Sequence, residues 1–140
     1  MAIGYSHGAG AYQQVRAQGG VEVADAHGLI TMLMDGALER IHFARGHMLT
    51  GNVIGKGEAI SKAIEIVGEL QGSLNHEVKT PLVGQLDRLY DYMSRRLLAA
   101  NAQNEVEPLD EVTRLLGQIR DSWVAIPMES RQVQAAGAPA

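Results

Sequence analysis

Apolar residues recur at intervals of three and four along four stretches of the chain, which is the spacing that places side chains on one side of an α-helix. The most regular stretch, residues 86–101, contains neither glycine nor proline. Its apolar positions form one helical stripe: Leu86, Leu89, Tyr90, Met93, Leu97 and Ala100. Tyr92 and Leu98 lie outside that stripe. A helix that buries a single face does not need them, so the pattern predicts that this surface meets something besides its own chain.

The first predicted helix begins after Asp25, a residue type that commonly caps helix N-termini, and runs to Leu49. Gly51 and Asn52 then end it, because both residue types tolerate the left-handed backbone conformation. Apolar residues cover well over half of the circumference in its first half, which is typical of a helix that is central or covered by a partner. They include Leu29, Ile30, Met32, Leu33, Met34, Ala37, Leu38, Ile41, Phe43 and Ala44. A second helix is predicted over residues 53–75.

Two prolines mark the starts of the remaining helices, since the missing N–H of proline costs nothing in the first helical turn. Pro81, preceded by a threonine cap, opens a third helix that runs to about residue 103. Pro108 opens the fourth helix, and Pro127 stops it. Four amphipathic helices joined by short links predict an all-α, antiparallel, up-down-up-down four-helix bundle over residues 25–126.

The two ends of the chain lack such a stripe. Residues 1–24 are rich in glycine and alanine, and we expect them to form a mobile arm that carries a short capping helix. That capping segment, residues 11–15, is one helical turn and is too short to be stable alone. It docks on the bundle only by burying Tyr12 and Val15. We expect residues 127–140 to form a disordered tail.

Composition narrows the class of protein further. The net charge of −4 and the isoelectric point near 5.7 argue against a nucleic-acid binder. The absence of cysteine removes disulfides, thiol catalysis and cysteine-based zinc sites, and it fits a reducing cytosol. No apolar run approaches the roughly 20 residues of a membrane span. The N-terminus also lacks the basic and apolar regions of a secretory signal.

A search for catalytic or metal-binding groups gives one weak candidate. Glu39 and His42 form the E-x-x-H motif of di-iron bundles, but those proteins use two such motifs with two further inward carboxylates. The glycine-rich residues 4–10 lack the preceding strand and the Lys-Ser/Thr ending of a phosphate loop. We therefore predict no catalytic residue, no metal and no cofactor. A metal-binding bundle enzyme remains a rival interpretation that elemental analysis would dismiss.

The arm and the wide first helix together predict a binding groove. Tyr12 lies in a segment that has no core to bury it, and a displaceable cover protects an apolar groove from aggregation. Such a groove accepts the apolar face of a ligand helix. Tyr90 is either part of such a binding surface or an aromatic residue of the core whose hydroxyl reaches water.

Four motifs in this order and spacing closely resemble the flagellar secretion chaperones of the FliS type. The resemblance covers about residues 10–125. The motifs are Ala11-Tyr-Gln-Gln-Val15; Leu29 to Leu38; Leu89-Tyr-Asp-Tyr-Met93 with Arg95-Arg96-Leu97 and Ala100-Asn101; and Glu107 to Val112 with Leu115-Leu116, Ile119-Arg120-Asp121 and Trp123.

The resemblance implies a cytosolic, non-enzymatic antiparallel bundle. Members bind the disordered C-terminal segment of flagellin in apolar grooves, prevent premature polymerisation and deliver it to the flagellar type III export apparatus. It implies flagellin and the export gate as partners, with neither nucleic acid nor membrane insertion. It also implies that the arm with Tyr12 covers the groove in the free protein. Met34 departs from the family, because many members have a tyrosine there.

From these observations we expect partner-binding residues in the arm and on the first and third helices. They are Tyr12, Val15, Met34, Leu38, Tyr90, Tyr92 and Leu98. The alternative function is a structural or adaptor bundle that self-associates through its spare apolar face. A homodimer in the absence of cargo is left open.

Overall fold

The computed structural model describes residues 23–127, which form four α-helices and no strand. These are α1 (Val23–Leu49), α2 (Val53–Gly72), α3 (Pro81–Gln103) and α4 (Glu107–Val124). Each helix packs against the next one along the chain, and α4 packs back against α1. The predicted all-α four-helix bundle is therefore confirmed. The expectations for the mobile arm and for the tail concern residues outside this range, except that α1 already includes Val23 and Ala24.

Contacts between helix ends show that neighbouring helices run antiparallel. His27 near the start of α1 bonds to Trp123 near the end of α4. Lys56 near the start of α2 bonds to Asn101 near the end of α3. No helix within residues 23–127 combines the length and the apolar character needed to cross a bilayer.

The core is aliphatic, with methionine and small alanines and with Tyr90 as its aromatic side chain. Ala37, Ala44, Ala63 and Ala100 have no exposed surface, so they let the helix backbones approach closely. The largest fully buried side chains are Met34, Ile41, Ile60, Leu70, Met93, Leu97, Leu109 and Leu116. The apolar stripe predicted for α3 therefore contributes Tyr90, Met93, Leu97 and Ala100 to the core.

A tight turn joins α1 to α2. Gly51 has φ = +78°, the left-handed conformation expected for it. Asn52 does not take that conformation, because it caps α2 instead. Its side-chain oxygen accepts a hydrogen bond of 2.9 Å from the backbone N–H of Gly55, which satisfies one of the free donors at the start of the helix.

Three helix boundaries differ from the predicted ones by two residues or more. α1 already includes Val23 and Ala24, ahead of the expected start after Asp25, since neither residue interrupts a helix. α2 ends at Gly72, three residues before the expected end, because Ser73 bonds back to its last turn. The hydroxyl of Ser73 also donates to the carbonyl of Leu70 at 2.7 Å. α4 ends at Val124, ahead of the expected end at Pro127.

A buried lysine joins the start of α2 to the end of α3. Lys56 is 6% exposed, and its Nζ donates to the carbonyl of Asn101 and to Oδ1 of Asn104, each at 3.1 Å. Asn104 caps α3 in the left-handed conformation with φ = 56°. The cation therefore lies at the negative end of the α3 dipole and satisfies a terminal carbonyl.

Candidate partner-binding face

Ion pairs join α4 to α1. Arg45 Nε lies 2.8 Å from Asp110 Oδ1, and Arg120 Nε lies 2.8 Å from Asp35 Oδ1. Arg120 also reaches the second oxygen of Asp35 at 3.4 Å. These pairs lie on the outer edge of the α1/α4 junction, so polar side chains cover the apolar contact beneath them.

A second polar cluster joins α4 to α3. Arg96 contacts Glu111 at 2.6 Å and Glu107 at 2.7 Å. The hydroxyl of Tyr92 donates to the other oxygen of Glu111 at 2.6 Å. The hydrogen bonds from Tyr92 and from Arg96 lower the pKa of Glu111, since both favour the ionised carboxylate. Both sides of α4 are therefore covered by charged contacts.

None of these ion pairs joins α1 to α2. The two helices instead meet at Gly36, where a Cβ atom would lie 3.6 Å from Cδ1 of Ile66. Met32 precedes Gly36 by four residues and Phe43 follows it by seven, so all three lie on the side of α1 that faces α2. Met32 is 66% exposed and Phe43 is 44% exposed. We call Met32, Gly36, Phe43 and Ile66 the α1/α2 face.

The residues singled out from the sequence lie in several different places. Met34 and Tyr90 are only 2% and 3% exposed and belong to the core. Burial raises the pKa of Tyr90 to about 12, because the ionised phenolate would be poorly solvated there. Tyr12 and Val15 lie outside the described residues.

The remaining three candidates lie on three different junctions. Leu38 is half-buried and precedes Arg45 by seven residues, which places it on the side of α1 that faces α4. Tyr92 lies between α3 and α4. Leu98 is 57% exposed and follows Asp87 by eleven residues, on the side of α3 where Asp87 bonds to α2. The structure therefore does not bring these residues together on one surface.

Met32 and Phe43 were part of the wide apolar set of the first helix but were not singled out as binding residues. The sequence feature that could have identified Met32 and Phe43 was the large fraction of the α1 circumference that apolar residues cover. Once one stripe of α1 is assigned to the core, the apolar residues that remain must lie at its edge or in solvent. Their exposure makes the α1/α2 face the strongest candidate site.

A second exposed apolar patch lies at the end of the bundle. Leu49, Val53 and Ile54 are 63%, 69% and 76% exposed at the turn between α1 and α2. We call these three residues the bundle tip. Within residues 23–127 no group of acidic or histidine side chains is arranged to hold a metal ion. Glu39 and His42, the E-x-x-H pair, both lie exposed on α1.

The described residues define a class of protein, namely an antiparallel four-helix bundle that exposes apolar side chains along one helix pair. The family described as flagellar protein FliS matches residues 8–130. The chain therefore belongs to the FliS family of flagellar secretion chaperones.

Relatives from three bacteria agree with this assignment. The chain is 45% identical over 115 residues to the flagellar secretion chaperone FliSB of Pseudomonas aeruginosa, covering 82% of this chain and 91% of that protein. It is 43% identical over 117 residues to the flagellar secretion chaperone FliS of Salmonella typhimurium, covering 83% and 87%. It is 34% identical over 113 residues to the FliS of Bacillus subtilis, covering 81% and 80%.

Proposed function

We propose that this flagellar chaperone binds the C-terminal segment of flagellin in the cytosol and that the α1/α2 face is the principal contact. The observation that carries the proposal is the exposure of Met32 and Phe43 on a junction that the observed ion pairs leave uncovered. Large apolar side chains aligned along a helix pair are the surface that a helix-in-groove interaction requires. Family membership supports a cargo that belongs to the flagellum.

The proposed mechanism is passive holding of an unfolded segment. A segment that is apolar along one side would otherwise pair with other subunits, and occupation of its apolar side prevents that pairing. Binding buries apolar surface at about 25 cal/mol per Å², less the cost of ordering the segment. The complex then delivers its cargo to the flagellar type III export apparatus, with the export gate as the second partner.

Other candidate residues extend the contact around the bundle. Leu98 and Tyr92 are accessible from solvent and provide further contacts for a segment that continues past the α1/α2 face. Leu38 lies at the edge of α1 and contributes there. Met34 and Tyr90 act from inside the core by holding α1 and α3 in position.

The N-terminal arm competes with cargo in this proposal. Tyr12 and Val15 occupy the apolar groove in the free chaperone and leave it when flagellin binds. Deletion of residues 1–17 should therefore leave the affinity for flagellin unchanged or increased in calorimetry. A large loss of affinity would show instead that the arm holds the cargo.

A second candidate function is self-association, which the exposed bundle tip favours. Light scattering with and without a synthetic flagellin C-terminal peptide separates the two functions. A chaperone forms a defined complex whose mass increases by that of the peptide. A bundle that only self-associates keeps the same mass when the peptide is added, and that result would contradict the chaperone proposal.

A further inference from the structure

Four carboxylates border the α1/α2 face. Glu39 of α1 lies seven residues after Met32 and four before Phe43, on the same side of the helix. On α2, a stripe with spacings of three and four runs past Ile66. Its acidic members are Glu58, Glu65 and Glu69. The apolar contact surface is therefore bordered by acidic side chains on both helices.

This border carries excess negative charge. Its neighbouring cations are Arg40 and Lys62, so the local sum of formal charges is four negative against two positive. The ion pairs at the α4 junctions and the Asp91–Arg95 pair on α3 involve none of the four carboxylates. Partial burial is the main cause that raises the pKa of Glu69, and the negative charge of the neighbouring Glu65 raises it further.

We propose that the α1/α2 face selects an amphipathic helix whose apolar stripe is flanked by lysine and arginine. This inference rests on the proposed function, because it specifies the chemistry of the segment that binds there. Basic flanks would lie over the acidic border while the apolar stripe covers Met32 and Phe43. Such complementarity accelerates association and disfavours segments with acidic flanks.

The same charges argue against two other occupants. A second copy of the chain packed face to face would place the acidic border of one copy against that of the other, because a two-fold interface pairs identical patches. An anionic lipid surface would be repelled in the same way. A basic helical segment is the occupant whose charge complements the border.

Two synthetic peptides that share one apolar stripe test the inference. One peptide carries lysine at the flanking positions and the other carries glutamate there. Calorimetry with the full chain at low salt should show at least tenfold tighter binding of the lysine peptide. The difference should shrink in about 0.5 M salt, where the Debye length falls to a few ångströms.

Charge variants locate the effect on the chain. The double variant Glu65→Gln/Glu69→Gln should reduce the affinity ratio of the two peptides by at least threefold. The control Glu77→Gln/Glu105→Gln removes the same charge from the exposed links between helices and should leave the ratio unchanged. Circular dichroism verifies that both variants fold.

Three outcomes would overturn the inference: equal affinity for the two peptides, binding of neither peptide, or an equal effect of both charge variants. A flagellin C-terminal peptide measured in parallel keeps the two proposals distinguishable. If flagellin binds the chain and the peptides show no charge preference, the chaperone proposal stands and the charge inference fails. If the lysine peptide is preferred and flagellin does not bind, the charge inference stands and flagellin is the wrong cargo.

Discussion

Replacement of His27 by alanine should destabilise the bundle without touching the α1/α2 face. The His27 ring stacks on Trp123 with a centroid separation of 4.4 Å and an interplanar angle of 10°. His27 Nε2 donates to the carbonyl of Trp123 at 2.7 Å, so Nε2 carries the proton. Trp123 Nε1 donates to the backbone carbonyl of His27 at 3.0 Å. These contacts join the start of α1 to the end of α4.

The expected loss of stability follows from the contacts that His27→Ala removes. The Trp123 indole keeps its acceptor in His27→Ala, because that acceptor is a backbone carbonyl. The lost hydrogen bond is worth about 0.5–1 kcal/mol, at the low end because the Trp123 carbonyl also accepts from the backbone N–H of Ile126 at 3.2 Å. The lost ring contact and the space left at a 5% exposed side chain add about 1.5–2 kcal/mol. We expect a total loss of about 2–3 kcal/mol.

Urea unfolding followed by circular dichroism measures this loss. His27→Phe keeps a stacked ring and should lose only about 0.5–1 kcal/mol, the value of the lost hydrogen bond. His42→Ala is the control, since His42 is exposed and should change stability by less than about 0.5 kcal/mol. The chain has a single tryptophan, so fluorescence reports directly on this contact. A loss below about 0.5 kcal/mol for His27→Ala would refute the reasoning.

Three further substitutions test other buried or paired groups. Lys56→Met should cost about 1–2 kcal/mol in thermal unfolding, because two hydrogen bonds of a charged donor are lost while its desolvation is relieved. Burial raises the pKa of Tyr90 to about 12, so the fold should lose stability as pH rises from about 10 to 12, at up to about 1.4 kcal/mol per pH unit. Tyr90→Phe should remove that loss in alkaline urea titrations. The pKa of Glu111 is lowered by Tyr92 and Arg96, so its ionised form stabilises the fold above pH 4.5, and this contribution is lost as pH falls. Glu111→Gln should flatten the acid side of the stability profile, and an unchanged profile would contradict this.

Local patterns were sufficient to predict the helices. The spacing of apolar residues and the two prolines lie within each helix, so the start of α3 at Pro81 needed no long-range information. The buried positions of His27 and Lys56 depended on contacts with residues 96 and 45 positions away. No local pattern encodes such contacts.

The binding surface was predictable only in part, for a geometric reason. The excess apolar width of α1 was visible in the sequence, but an apolar set that covers more than half of the circumference does not show which part of it faces the core. Met34 lies in the core while Met32, two residues earlier, lies at the surface. The orientation of α1 within the bundle decides between them. The placement of Tyr92 likewise depended on the position of Glu111 on α4, whose carboxylate accepts a hydrogen bond from the Tyr92 hydroxyl.

The most direct test of the account is the affinity of a flagellin C-terminal peptide for a variant of the α1/α2 face. Full burial of a large apolar side chain is worth about 1.5–3 kcal/mol. Met32 is 66% and Phe43 is 44% exposed, so bound cargo can bury only that exposed part of each side chain. Met32→Ser/Phe43→Ser removes this burial at both sites. We expect a loss of about 2–3 kcal/mol, roughly 30- to 150-fold in affinity.

The matched control is Ile54→Ser, which removes an exposed apolar side chain from the bundle tip. Calorimetry should show near wild-type flagellin affinity for Ile54→Ser and the large loss for Met32→Ser/Phe43→Ser, with both variants as stable as the wild type. Equal flagellin affinity for the wild type and the face variant would contradict the assignment of the α1/α2 face as the cargo site.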